Sequence, residues 1–364
     1  MNTEQRKTLW QQLQQQGRVS GEVPQESGPG SPWFVRLMLG VAAWIGAGFL
    51  FAFVALTFEW VLKSAASSAL FGVLAVIAAV YLFRLKSEND FALQFGLALS
   101  LAGQGLLINS LFQYLGHNLN NHSATLSFFI FLLELMLLIV PNFIHRLLST
   151  SVAMLALGWA CAQLGWFFIV PPLLSGGLIA YYWYEFPFIR RAVWVRPIGY
   201  GILFAMLILP YMVMEIHDRG GHSDAILLNA ARINTSLLLL QIGWVIWQQM
   251  RQQNITPNSR AAWAIGLAAL LLAVLAYWVP GLATAVLIIL LGFGSGNRIL
   301  QALGWCVLAW YGGRYYYSLE TTLLTKSIVL ALSGLVLLAA RQGLRLAFPH
   351  KEQSKEQSKE QPHA

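Results

Sequence analysis

Residues 65–84 read Ala-Ala-Ser-Ser-Ala-Leu-Phe-Gly-Val-Leu-Ala-Val-Ile-Ala-Ala-Val-Tyr-Leu-Phe-Arg, with no charge before Arg84. A hydrocarbon core ~30 Å thick needs about 20 helical residues to cross it, and this run supplies them. Working outward, comparable runs recur along most of the chain. Twelve hydrophobic segments cover roughly 34–58, 65–84, 91–115, 124–144, 147–163, 167–185, 196–214, 233–250, 261–279, 282–294, 298–317 and 322–341. The fold class predicted from them is all-α, a polytopic transmembrane helical bundle of about 12 helices. The fifth, sixth and tenth segments are short, which suits little tilt, a re-entrant path or half of a broken pair. Pro280-Gly281 predicts a tight turn between the ninth and tenth.

Composition agrees. The 364 residues are 57% hydrophobic and 10% charged, against about 25% charged in a soluble domain. Disorder, a collagen-like repeat and a secreted disulfide scaffold are excluded, the last by a count of two cysteines. The net charge of +8 has a definite location. Residues 1–33 carry three bases and three acids, and the tail from His350 carries three of each. The excess, 17 bases against 9 acids, lies in the apolar part and is no sign of nucleic-acid binding.

Residues 1–33 are polar and Gln-rich, without a cleavable signal pattern. Leu9, Trp10 and Leu13 predict a short amphipathic helix, followed by the linker Gly28-Pro29-Gly30-Ser31-Pro32. The transmembrane domain is expected over 34–345. Residues 346–364, with their Lys-Glu-Gln-Ser repeats, read as a disordered cytoplasmic tail. With the N-terminus inside, alternate loops place 18 Lys/Arg on the cytoplasmic side and 5 on the other. That split predicts an even number of crossings with both termini cytoplasmic, in the bacterial inner membrane. Ten helices satisfy it as well as twelve if two short neighbours do not cross.

Glu134, in Leu132-Leu133-Glu134-Leu135-Met136, is the one acid that this scheme leaves away from a membrane surface. An ionisable group there costs about 2.5–3.5 kcal/mol on insertion scales. Two readings follow: a proton- or cation-linked carboxylate in a transport path, or a neutral Glu hydrogen-bonded to the third segment. That segment offers Gly96, Ser100, Gly103 and Gln104 on one helical face, with Asn109 and Gln113 about half a turn away. Small-residue spacing assigns the glycines and the serine to helix packing, and Gln104 to interhelical glue or to a site.

Other constellations carry less. His117, His122, His217 and His222, with Asp218 and Asp224, fall in two loops predicted to share the outer side, but their spacing matches no metal-ligand signature. Gly292-Phe293-Gly294-Ser295-Gly296 superficially resembles an intramembrane protease serine, yet Phe293 replaces the first glycine and no histidine base follows within the bilayer. HExxH, P-loop and dinucleotide fingerprints are absent from the sequence. Cys161 and Cys306 are isolated and read as packing residues. We therefore expect no enzyme and no cofactor. The cluster running from Arg314 through Tyr315, Tyr316 and Tyr317 to Glu320 and Lys326 reads as an aromatic belt with a candidate partner-binding role, for which Arg314, Tyr316, Tyr317, Glu320 and Lys326 are the residues to test.

These last residues also carry a resemblance. Tyr315-Tyr316-Tyr317-Ser318-Leu319, Thr322-Leu323-Leu324-Thr325-Lys326-Ser327, Gly334 and Arg341 resemble the ending of a bacterial family of polytopic inner-membrane proteins known as "predicted membrane protein" or "domain of unknown function". The start, Leu9-Trp10-Gln11-Gln12-Leu13, Gly17, Val19, Gly21, Pro24 and Pro32-Trp33, resembles that family's cytoplasmic prelude. Gly103-Gln104 is similar to a Gly-Gln of a larger related group. The resemblance implies an inner-membrane component, often encoded beside a small membrane-anchored protein with a Gly-Asp-Tyr motif. It implies no activity and no catalytic residue. Two functions are thus expected: a non-enzymatic envelope or membrane subunit with such a partner, or a secondary transporter using Glu134 with Gln104, Asn109 or Gln113. An outer-loop metal sensor is remote. The lipid bilayer is the one partner that the sequence requires.

Overall fold

The computed structural model describes residues 59–85, 90–115, 119–183, 192–218, 224–279 and 281–318, with isolated positions among residues 8–56 and 324–343. Every regular element among them is helical: α1 (Glu59–Lys63), α2 (Ala65–Arg84), α3 (Asp90–Leu115), α4 (Leu119–Leu137), α5 (Phe143–Gln163), a 3-10 turn (Phe167–Ile169), α6 (Val170–Trp183), α7 (Ala192–Asp218), α8 (Asp224–Gln252), α9 (Arg260–Trp278), α10 (Leu282–Gly294) and α11 (Arg298–Ser318). The protein is an all-α helical bundle. The first and last hydrophobic segments and both polar tails lie largely outside the described residues.

Four described helices are long and apolar enough to cross a membrane, at Ala65–Arg84, Ala92–Leu115, Phe143–Gln163 and Arg260–Tyr277. Their outward faces are apolar too. On α2, Leu70, Val73, Leu74, Ile77 and Tyr81 are exposed, and on α9 so are Trp263, Leu267, Leu270, Leu271 and Val274. In water such continuous apolar surface would aggregate, whereas against lipid it is the stable arrangement. These are the helices of a membrane protein.

The described residues divide into two compact units, Met1–Leu164 with Arg190–Ile202, and Gly165–Ile189 with Leu203–Ala364. In the first, α2 packs along α3 and α4 along α5. Glycines set the α2–α3 approach. A Cβ on Gly103 would sit 2.9 Å from the Gly72 carbonyl oxygen, and one on Gly72 3.1 Å from the Gly103 carbonyl. The two backbones touch, as small residues permit in lipid. Chain breaks are capped by side chains. Asn109 Nδ2 donates to the Leu62 carbonyl at 2.9 Å and to Ser68 Oγ at 2.9 Å, while Gln113 Nε2 reaches the same carbonyl at 3.2 Å. Leu62 belongs to the last turn of α1, whose carbonyls have no intrahelical partner.

The boundary between α4 and α5 differs from the segments read in the sequence. The apolar run 124–144 is not one helix: α4 ends at Leu137, a turn occupies 138–142, and Phe143 and Ile144 open α5. Pro141 explains this, since it disfavours helical backbone at the residue before it. Asn142 then caps α5, accepting from Ile144 N at 2.9 Å and His145 N at 3.1 Å. The fifth segment is accordingly a full helix, Phe143–Gln163, and not a short one. The tenth stays short, at Leu282–Gly294.

In the second unit, α10 packs along α11 and α8 contacts α6 and α10. Pro171 and Pro172 sit in the first turn of α6, where a missing N–H costs nothing. Gln241 of α8 donates to the Pro172 carbonyl at 2.8 Å and accepts from Ser175. The predicted turn before α10 is present. Gly281 holds φ +83, and a Cβ there would lie 2.6 Å from the Tyr311 ring, so both conformation and space demand glycine. Tyr311 completes the contact by donating to the Leu207 carbonyl at 2.7 Å.

Candidate functional site

Three helices of the first unit bring together the densest set of buried polar side chains among the described residues. Ser100 and Gln104 come from α3, Glu134 from α4, and His145, Arg146 and Ser149 from α5. Ser100, Glu134, His145 and Ser149 are fully buried, with Gln104 and Arg146 nearly so. Their placement follows from helix geometry. Ser100 and Gln104 are four residues apart, as are His145 and Ser149, so each pair stacks on one face of its helix. Glu134 lies one turn before the end of α4, and His145 just inside the start of α5, because the turn at 138–142 folds the chain back on itself.

Two tiers result. In one, Gln104 Nε2 donates to both carboxyl oxygens of Glu134, at 2.7 and 2.8 Å. Ser149 lies beside the same carboxyl, placed to donate its hydroxyl hydrogen to it. In the other tier, Ser100 Oγ lies 3.0 Å from His145 Nδ1 and 2.7 Å from the Leu97 carbonyl oxygen, and its hydrogen can serve either. Which of Ser100 Oγ and His145 Nδ1 is the donor follows the imidazole tautomer. The imidazole also lies beside the Leu137 carbonyl at the end of α4.

Arg146 closes this arrangement at the α4–α5 turn. Its Nε donates to the Leu138 carbonyl at 2.9 Å and its Nη1 to the Val193 carbonyl at 3.1 Å, and the guanidinium stacks 3.6 Å over the Trp194 ring. It ties the α4–α5 turn to the start of α7 without a carboxylate. The planar fork and the aromatic face suit arginine specifically.

Of the residues selected from sequence, Glu134 and Gln104 are thus brought together. Asn109 and Gln113 are elsewhere, at the α1–α2 break. The face predicted to carry Gly96, Ser100, Gly103 and Gln104 is shared: Gly96 and Gly103 pack on α2, while Ser100 and Gln104 turn to α4 and α5. His145 was missed because it fell between two predicted segments beside an arginine, and Ser149, inside the fifth, was passed over. The signal was present in Pro141-Asn142, which marks a helix start and fixes the face carrying both residues.

Among the other candidates, Tyr316 and Tyr317 lie near the end of α11, their rings edge to face with centroids 5.5 Å apart. Tyr317 is exposed and Arg314 half-buried. Glu320 and Lys326 lie outside the described residues, as do His117 and His222. His122 and His217 fall within α4 and α7, but their side chains are outside the description. Ser295 caps α10 and donates to the Leu291 carbonyl at 2.7 Å, which accounts for the Gly-rich stretch as a turn.

A family model described as "Domain of unknown function (DUF4401)" matches residues 32–346. The chain belongs to this family. The match covers the buried cluster on α3–α5 and the tyrosines of α11. It agrees with the resemblance carried by the beginning and end of the sequence. No curated protein and no solved structure matches the chain.

Proposed function

We propose that this DUF4401 protein is a multi-pass protein of the bacterial inner membrane, with both termini cytoplasmic, which works without covalent catalysis and moves protons or cations by way of Glu134. The observation that carries the reading is the fully buried Glu134 carboxyl. It is held across a helix interface by Gln104, in a cluster that also contains the fully buried His145 and Ser149. An ionisable group in an apolar span normally carries a function, because placing it there costs about 2.5–3.5 kcal/mol on insertion scales. The 18-to-5 division of Lys and Arg supports the orientation. Reconstitution in proteoliposomes tests the function. Ion movement under an imposed potential should be lost in Glu134→Gln, and equal movement in the two proteins would refute it.

A second reading, a membrane subunit acting with a small membrane-anchored protein, draws support from the exposed Tyr317 and its neighbour Tyr316. Aromatic residues at a helix end can dock a partner as well as mark an interface. Crosslinking in native membranes should then capture one small partner and lose it in Tyr316→Ala/Tyr317→Ala. Recovery of the protein alone would remove this reading.

A further inference from the structure

Resting on the transport reading above, we propose that Gln104 is the residue that makes the Glu134 site take up a proton and not a metal cation, because its amide serves both protonation states of the carboxyl from one position. The carboxyl is fully buried between partners on two other helices. Gln104 Nε2 of α3 lies 2.7 and 2.8 Å from its two oxygens, and the Ser149 hydroxyl of α5 lies beside it as a second donor. The neighbouring hydroxyls of α5 do otherwise. Thr150 donates to the Arg146 carbonyl and Ser151 to the Leu147 carbonyl, both at 2.8 Å and both four residues back on their own helix.

This seat is poor for a metal ion. Hard cations such as Ca²⁺ and Mg²⁺ take six or more oxygens, whereas both Glu134 oxygens face an amide at hydrogen-bond distance, which an incoming ion would have to displace. The described residues hold no group of three His, Cys, Asp or Glu side chains placed to share an ion. A proton needs only an acceptor for the acid hydrogen. Glutamine carries one, since its amide has a carbonyl oxygen beside its NH₂.

The step balances. In the ionised state the carboxylate accepts from Gln104 Nε2 and from Ser149. An arriving proton forms one O–H bond and breaks none within the cluster. The carboxyl must then donate, and Nε2 would meet the new hydrogen with its own. The two ends of the amide are nearly alike in shape, so half a turn about the Cγ–Cδ bond puts Oε1 in the same seat, where it accepts the acid hydrogen. Ser149 goes on donating, now to the oxygen that stays unprotonated. Loss of the proton turns the amide back, and the charge of the cluster changes by that proton alone. Of the helices packed on α4, α3 brings the neutral Ser100 and Gln104 to the cluster. From α5 come His145 and Arg146, whose guanidinium is directed to the Leu138 and Val193 carbonyls.

The test joins proton flux to infrared spectroscopy. In potassium-loaded proteoliposomes with valinomycin and an internal pH dye, the wild type should carry protons equally well with sodium or choline outside. Gln104→Met keeps the length of the side chain and removes the amide, and we expect its flux to fall by about 10- to 100-fold, the range set by one unmet buried hydrogen bond. Acidification of the wild type should raise a carboxyl C=O band that is absent in Glu134→Gln. A glutamine amide C=O band should change with it and be absent in Gln104→Met, a coupling that a merely structural amide would not show. Should Gln104→Met fail to fold, 13C at the side-chain carbonyls of glutamine identifies the second band in the wild type. A carboxyl band without an amide partner, undiminished flux in folded Gln104→Met, or ion movement that follows a sodium gradient without a pH change would each overturn the proposal while leaving transport through Glu134 standing. Absence of any ion flux in the wild type would instead remove the transport reading itself.

Discussion

At the scale of single residues, the buried cluster separates side chains that hold the fold from those that present chemistry. Gln104 does both. Gln104→Leu would leave the Glu134 carboxyl buried without its α3 donor, and we expect a loss of about 1–3 kcal/mol, seen as a lower unfolding midpoint in detergent. Asn109→Leu should cost about 1 kcal/mol, through the cap on α1, yet leave Glu134-dependent flux intact. If the two substitutions abolish flux equally, the distinction between the two polar groups on α3 is lost. Arg146→Lys is not conservative here, because an ammonium cannot reach the Leu138 and Val193 carbonyls while lying flat on Trp194. It should lower stability by about 1–2 kcal/mol.

Among elements, the α2–α3 contact is the most demanding, because the group opposing Gly103 is backbone. Gly103→Ala would set a methyl 2.9 Å from the Gly72 oxygen and must push the helices apart. We expect a loss of about 1–3 kcal/mol. Gly105→Ala on the same helix meets nothing within 4 Å and should be neutral or slightly stabilising, so the pair forms an internal control. The limits of α2 and the turn at Gly281 were legible in the sequence, since a charge or a Pro-Gly pair punctuates each. The α4–α5 turn was not, because Leu138, Ile139 and Val140 continue the apolar run through it and hydropathy cannot distinguish a buried turn from a helix. That misplaced boundary hid His145, whereas Ser149 lay inside the fifth segment and was passed over. Glu134 and Gln104 could be found from sequence because an acid within an apolar run needs a donor and the adjacent segment offered one. Which of its amides would reach the acid depended on helix rotation, which the amide side chains alone do not encode.

At the scale of the whole molecule, the sign of the charge is a topological quantity. Neutral tails leave the Lys/Arg asymmetry of the connecting loops intact, so removal of residues 346–364 should not change orientation. A reporter inserted at 219–223 should answer from the periplasm in both the full and the shortened chain, and a cytoplasmic answer would invert the scheme. The two tiers of the polar cluster have a collective meaning as well. Both hydrogen bonds that reach across from α3, Ser100 to His145 and Gln104 to Glu134, end on one hairpin and lie one helical turn apart. They behave as two bolts of a single latch: a displacement of α3 that withdraws one withdraws the other. Departure of the amide from the acid and of the hydroxyl from the imidazole are then the same event, so both buried groups lose their α3 partner in one motion.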